Sequence, residues 1–163
     1  MILLGVDPGS RVTGYGIIGR QDGDQWFHIA SGVLSFSAAD SFFDRLKTIY
    51  SETVALIGRY SPDQVVFEDV FYGQNIKSML QLGQARGAAL VAALNCDRPL
   101  YTYAAREIKQ ALTGNGAASK EQVRRMVMAV LHLDKAPAPL DISDALAIAL
   151  CHGLRFRPDK SSK

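Results

Sequence analysis

The chain has 163 residues, of which 48% are hydrophobic and 21% charged, and its formal net charge is +2. This length suits one domain with its own hydrophobic core, and this composition excludes an intrinsically disordered chain. No apolar run reaches the roughly 20 residues that span a bilayer. The opening MILLGVD lacks the basic start of a signal peptide, so we expect a cytoplasmic protein. Cys96 and Cys151 are too few for a disulfide framework or a zinc site.

The first part of the chain predicts an antiparallel meander of three strands. Residues 2–7 form an apolar run that ends in an acid, and the following Pro8-Gly9 is a turn signal. Residues 13–18 predict the returning strand. Residues 26–36 have the β-branched and aromatic content of a third strand.

From Asp40 onward the apolar residues recur at helical spacing, and Ser61-Pro62 ends this helix. Residues 64–68 predict a fourth, short strand that again ends in an acid. Residues 78–95 predict a helix rich in small residues. Its Gly83 and Gly87 allow close packing, either on the sheet or on a second copy of the chain.

The rest of the chain predicts one more strand and three helices. These elements are a strand over 99–102, a helix over 104–112, a flexible connector over 114–118, a helix from Ser119 to about Leu131 and a helix over 141–155. Ser119 and Gln122 have the spacing of a capping box. The order predicts a single α/β domain over residues 1–156, a mixed five-stranded sheet with helices on both faces, and a flexible tail over 157–163.

The middle of the chain is basic. Between Gly73 and Leu133 eight Lys/Arg residues stand against three Asp/Glu, a local excess of five positive charges. The eight are Lys77, Arg86, Arg98, Arg106, Lys109, Lys120, Arg124 and Arg125. This distribution is compatible with a polyanionic partner but does not identify one.

Four acids stand where they can form one cluster. Asp7 and Glu68 end two predicted strands, and neighbouring strands that end at one edge of a sheet bring such carboxylates together. Asp141 and Asp144 lie three residues apart in the first turn of the last helix, so they share a face. Convergent carboxylates favour a hard divalent cation such as Mg²⁺ or Mn²⁺. Two such ions, roughly 3.5–4 Å apart, can activate water and stabilise the leaving oxygen in phosphodiester cleavage.

Each acid taken alone has a simpler interpretation. Asp7 can start the turn at Pro8-Gly9, and Glu68 can be a solvated strand end. Asp141 can be a helix N-cap, and Asp144 can interact favourably with the helix dipole. Only the joint pattern of the four acids is specific.

Five blocks of the sequence, in order along nearly the whole chain, resemble the RuvC family of bacterial Holliday-junction resolvases. They are GVDPGSRVTGYG at 5–16, EDVF at 68–71, LGQARG at 82–87, YAAREIKQ at 103–110 and DISDALAIA at 141–149. The resemblance implies a ribonuclease-H-like fold and a homodimer. It also implies Mg²⁺-dependent nicking of two opposed junction strands in recombination and repair, leaving 5′-phosphate and 3′-hydroxyl ends.

Matched position by position, the resemblance assigns roles to individual residues. The metal ligands would be Asp7, Glu68, Asp141 and Asp144, which would hold two Mg²⁺ ions per site, with Asp7 bridging the two ions. Mn²⁺ would be able to replace Mg²⁺. Some relatives have histidine in place of Asp141. Lys109 and Lys120 match basic residues near the scissile phosphate, with Lys120 offsetting transition-state charge, although either could be a solvated helix end. The DNA-binding set is Phe71, Arg86, Lys109 and Lys120, and Phe71 could instead be a core aromatic.

The resemblance also implies a branch-migration helicase complex of the RuvA and RuvB type as partner, although the short tail matches the family poorly.

Three other functions fit parts of the pattern. Asp7-Pro8-Gly9 is similar to the phosphate loop of actin-like and sugar-kinase ATPases, but 163 residues leave no room for their second domain. The second alternative is a junction-binding module without catalysis. The third is a nuclease of the same fold that trims RNA.

Overall fold

The computed structural model describes residues 1–9, 11–21, 25–34, 36–37, 39–69 and 75–156. Five strands form one mixed sheet in the order β3-β2-β1-β4-β5. The strands are β1 (Ile2–Asp7), β2 (Thr13–Arg20), β3 (Trp26–Leu34), β4 (Gln64–Glu68) and β5 (Leu100–Tyr103). The first three strands form the predicted antiparallel meander, whereas β4 pairs in parallel with both β1 and β5.

Helices cover both faces of this sheet, as predicted. They are α1 (Phe42–Tyr60), α2 (Ile76–Asn95), α3 (Ala105–Thr113), α4 (Lys120–Leu131) and α5 (Leu140–Arg155). Residues of α1 and α2 share one hydrophobic cluster with β1 and β4, whereas α3, α4 and α5 form a second cluster. Within the described ranges, no helix combines the length and apolarity needed to cross a membrane.

Helix α5 is the centre of the second cluster. From Ile142 to Gly153 every side chain except that of Asp144 is buried. The helix lies directly on β1 and β2 because these strands carry glycines under it. A Cβ built on Gly5 would lie 2.2 Å from the backbone oxygen of Ala145, and one built on Gly16 would lie 2.7 Å from the Leu146 side chain. Any larger residue there would push α5 off the sheet.

His152, which is fully buried, connects α5 to the sheet. Its Nε2 is 2.6 Å from Oε1 of Gln64, and its Nδ1 is 2.8 Å from the hydroxyl of Tyr103. An amide oxygen only accepts hydrogen bonds, so Nε2 carries the hydrogen and Nδ1 accepts from Tyr103. Burial lowers the pKa of His152 to about 4, and the ring is therefore neutral at physiological pH.

Two helix starts differ from the predictions. Helix α2 begins at Ile76, two residues early, because the Asn75 side chain accepts a hydrogen bond from the Ser78 amide at 3.1 Å. Helix α5 begins at Leu140 with Pro139 as its N-cap. The interpretation of Asp141 as an N-cap is therefore wrong, because its position lies inside the helix. The capping box of Ser119 with Gln122 is confirmed.

The small residues of α2 divide into buried alanines and two glycines that contact no other part of the described chain. The buried positions of this helix are alanines, namely Ala85, Ala89, Ala92 and Ala93. A Cβ added to Gly83 or Gly87 would meet no atom of the described residues within 4 Å. The packing of α2 against the sheet therefore uses its alanines and not the two glycines.

Candidate active site

Two carboxylates stand side by side where neighbouring parallel strands end. In the β1–β4 register Val6 is opposite Phe67, so Asp7 and Glu68 come next on their strands. The preceding side chains, Val6 and Phe67, are almost fully and fully buried, which fixes both strands. The two acids themselves are half-buried. The predicted meeting of these acids at one edge of the sheet is confirmed.

The first turn of α5 brings the other two acids to the same edge. In the β1–β2 register Asp7 is opposite Gly14. A Cβ on Gly14 would lie 2.2 Å from the backbone oxygen of Asp141 and 3.1 Å from its Cβ. The helix start therefore rests on the strand beside Asp7, and Asp144 follows on the same helix face.

The charges of the four acids act on one another. Burial, and then the negative charges of Asp144, Glu68 and Asp141, raise the pKa of Asp7 from 3.8 to about 7. Burial and the charge of Asp144 also raise the pKa of Glu68. Such raised pKa values are typical of sites that bind a cation or transfer protons.

Lys120 provides the positive charge in this cluster. It is the first residue of α4, whose start is fixed by the Ser119 cap, and its Nζ donates to Oδ2 of Asp144 at 2.7 Å. This hydrogen bond is the main cause that raises the pKa of Lys120 above its usual value. The lysine is therefore charged at physiological pH, and it also lowers the pKa of Asp7 somewhat.

A cleft of about 150 Å³ opens beside the acids. Its polar lining consists of Glu68, Lys109, Lys120 and Asp144, and its other walls are the apolar side chains of α3, α4 and α5. Lys109 lies near enough to Glu68 to lower the pKa of that acid. The structure thus brings both predicted lysines to the predicted carboxylates.

The donor set fits a hard divalent cation, because carboxylate oxygens are the ligands that Mg²⁺ and Mn²⁺ prefer and the pKa values of Asp7 and Glu68 are raised. In the described part of the chain, however, no three His, Cys, Asp or Glu side chains already stand as a complete ligand group. Asp144 is instead paired with the Lys120 ammonium.

Arg86 is not among the residues that line the cleft. Its Nε donates to the backbone oxygen of Glu68 at 3.1 Å, and its Nη2 donates to Oδ1 of Asp69 at 3.2 Å. The fourth residue predicted to bind DNA, Phe71, lies outside the described residues. Sequence reasoning missed Asp69 and the role of Gly14, although a glycine inside a strand is a signal of close backbone approach.

A mixed sheet of this order, with carboxylates at the ends of its two central parallel strands and on the helix across them, defines a ribonuclease-H-like nuclease. Comparison with solved structures agrees. A structure described as T. thermophilus RuvC in complex with Holliday junction substrate has a TM-score of 0.89 at 34% identity, covering 94% of this chain and 93% of that one. The yeast mitochondrial Holliday junction resolvase shares the fold at a TM-score of 0.68 and 11% identity, covering 93% and 78% of the two chains.

The sequence comparisons name the family. The family model described as crossover junction endodeoxyribonuclease RuvC matches residues 3–152. The protein of that name from Photobacterium profundum is 52% identical, covering 93% of this chain and 86% of its own. The one from Citrifermentans bemidjiense is 48% identical, covering 93% and 92%. This chain therefore belongs to the RuvC family of crossover junction endodeoxyribonucleases.

Proposed function

We propose that this nuclease resolves four-way DNA junctions by nicking two opposed strands in the presence of Mg²⁺, leaving 5′-phosphate and 3′-hydroxyl ends. The observation that carries the proposal is the convergence of four carboxylates and one lysine at the edge of the sheet. The relative from T. thermophilus, whose solved structure contains a Holliday junction, supports the choice of substrate.

In this proposal Asp7, Glu68, Asp141 and Asp144 hold two divalent ions. Bound there, the ions would supply an activated water and stabilisation of the leaving 3′ oxygen. Asp7 would be the shared ligand, as the resemblance implies, and burial together with the charges of the other three acids raises its pKa to about 7. Lys120 would leave Asp144 when a cation binds. Its ammonium would then be placed to offset the negative charge that develops on the phosphate.

The cleft side chains also support the assignment of DNA contacts. Lys109 and Lys120 both line the cleft beside Glu68 and Asp144, where the scissile phosphate would lie. We infer that junction affinity comes mainly from phosphate contacts of the basic middle of the chain, and that it falls as salt is added. Phe71 and Arg86 remain predicted DNA-binding residues on the resemblance alone.

A homodimer fits the substrate, because a four-way junction and a two-fold dimer each present two equivalent positions. We place the dimer contact on α2. Its exposed apolar side chains include Ile76 and Leu80 towards its start and Val91 and Leu94 towards its end. The cytoplasmic location and the branch-migration complex of the RuvA and RuvB type belong to the same proposal.

The test is a labelled four-way junction incubated with the protein in Mg²⁺ or in chelator, while binding and nicking are both followed. We expect paired nicks that require the metal and disappear in Asp7→Asn, with junction binding retained. Asp134→Asn is the matched control, because this exposed aspartate lies at the opposite end of α4 from Lys120. It should nick like the unmodified protein.

Other outcomes would identify the competing functions. Junction binding without nicks in Mg²⁺ or Mn²⁺, across junctions of varied sequence, would leave a binding module and refute the catalytic proposal. Faster cleavage of RNA than of junction DNA would favour the RNA-trimming alternative. Saturable ATP binding would favour the ATPase alternative.

A further inference from the structure

The end of β4 is anchored from two sides just where it carries Glu68. On the sheet side, the amide of Asp69 donates to the backbone oxygen of Tyr103 at 2.9 Å. From α2, the Arg86 guanidinium reaches the Glu68 backbone oxygen and the Asp69 carboxylate with two separate N–H groups. The β4 ladder ends at this point, so these contacts determine how firmly the Glu68 backbone is held.

The geometry of these contacts requires arginine. The guanidinium is planar and presents its N–H groups in a fixed fork, so one side chain can hold a carbonyl and a carboxylate at a fixed separation. An ammonium is a point donor on a flexible stem and cannot reproduce that fork. Because the donor is charged, each bond is stronger than one between neutral groups.

The surroundings of Arg86 also differ from those of a phosphate-binding side chain. Only 18% of its side chain is exposed, whereas 68% of the Lys120 side chain is exposed. Its charge is matched by Asp69 at 3.2 Å, and its position on α2 is next to the buried Ala85. Arg86 is therefore engaged within the protomer before any DNA arrives.

We propose that Arg86 is a positioning residue that holds Glu68 in place for metal binding, in contrast to the direct DNA contact that its sequence block suggests. This inference rests on the proposed function only in taking Glu68 as a metal ligand. Groups that orient a ligand from behind commonly change metal affinity or activity about 10- to 100-fold when they are removed.

The experiment compares Arg86→Ala, Arg86→Lys and Arg59→Ala. Arg59 is the charge-matched control, because it is an exposed arginine in the last turn of α1, which precedes the opposite end of β4. Three quantities are measured: Mn²⁺ affinity of the DNA-free protein by electron paramagnetic resonance, junction affinity in chelator as a function of salt, and the Mg²⁺ dependence of single-turnover nicking.

We expect Arg86→Ala to weaken Mn²⁺ binding and to raise the Mg²⁺ needed for half-maximal nicking by about tenfold or more. Its junction affinity and salt slope in chelator should match those of Arg59→Ala. Arg86→Lys should restore only part of the metal affinity. If Arg86→Ala proves unfolded by circular dichroism, Asp69→Asn replaces it, and a smaller loss of Mn²⁺ affinity is expected because the Glu68 carbonyl contact remains.

Two results would overturn the inference. One is unchanged metal affinity with weaker junction binding and a salt slope reduced by about one, which identifies a phosphate contact. The other is behaviour identical to Arg59→Ala in every measurement. Failure of the proposed function would give a different result from failure of this inference. The unmodified protein would then nick no junction, but the Mn²⁺ titrations would still measure the effect of Arg86 on metal binding.

Discussion

Replacing Asp7 with asparagine should stabilise the metal-free protein while abolishing nicking. Burial and three neighbouring acids raise the pKa of Asp7 from 3.8 to about 7. Each pKa unit corresponds to about 1.4 kcal/mol, so ionising this carboxyl in the folded state costs roughly 4 kcal/mol. Asparagine removes this cost but still buries a polar amide, and we expect a net gain of roughly 2–3 kcal/mol in the free energy of unfolding.

The size of the effect depends on pH. Below about pH 4 the carboxyl is protonated in both folded and unfolded chains, so the variant gains nothing there. Between about pH 4 and pH 7 the unfolded chain ionises first, and the unmodified protein loses stability as the pH rises. Above that window the full difference should be present. Urea unfolding in chelator, at about pH 8 and about pH 4, measures both ends.

Added Mg²⁺ should reverse the order of stability, so that the unmodified protein becomes more stable than Asp7→Asn. A cation that binds only the folded state stabilises the unmodified protein, whereas Asp7→Asn has lost a ligand and should gain little. The control Asp134→Asn should follow the unmodified protein throughout. A variant that is less stable than the unmodified protein in chelator at about pH 8, or a difference independent of pH, would refute this electrostatic reasoning.

Three further predictions concern the surroundings of the site. Gly14→Ala places a Cβ 2.2 Å from the Asp141 backbone oxygen; we expect a loss of about 1–3 kcal/mol in stability and a larger loss of nicking. The control Gly58→Ala, where a Cβ meets no atom of the described residues within 4 Å, should be neutral or stabilising in the same thermal melts. Lys109→Ala should weaken junction binding in chelator and reduce its salt slope by about one, as measured by fluorescence anisotropy. The depressed pKa of His152, about 4, should cost roughly 3 kcal/mol as the pH falls from about 6.5 to about 4. This cost should be absent from urea unfolding of His152→Gln, and the same pH dependence of stability in both proteins would contradict it.

The sequence predicted the elements of this fold well because their signals are local. Alternating and helical apolar patterns, Pro8-Gly9 and the capping box at Ser119 mark where elements begin and end, and all five strands lie within a few residues of the prediction. The parallel pairing of β1 with β4 has no local signal, because it joins residues about 60 positions apart. The motif order of a known family, and not the periodicity, predicted this arrangement.

Within the site, the identities of the acids and their meeting at one edge of the sheet were predictable, but the ion pairs and hydrogen bonds around them were not. The acids could be recognised because each ends a strand or begins a helix. The ion pair of Lys120 with Asp144 joins two helices across 24 residues, and no spacing rule connects them. Arg86 illustrates the same limit: its block in the sequence suggests DNA binding, yet its partners are the Glu68 carbonyl and Asp69.

The central position of α5 has a consequence for how the protein is made. This helix is the last element of the described chain, and it supplies both the middle of a hydrophobic cluster and two of the four acids. A nascent chain that has not yet emerged from the ribosome as far as Leu140 lacks the middle of that cluster and half of the proposed metal ligands. Under the proposed function, catalytic competence therefore has to await the synthesis and packing of α5.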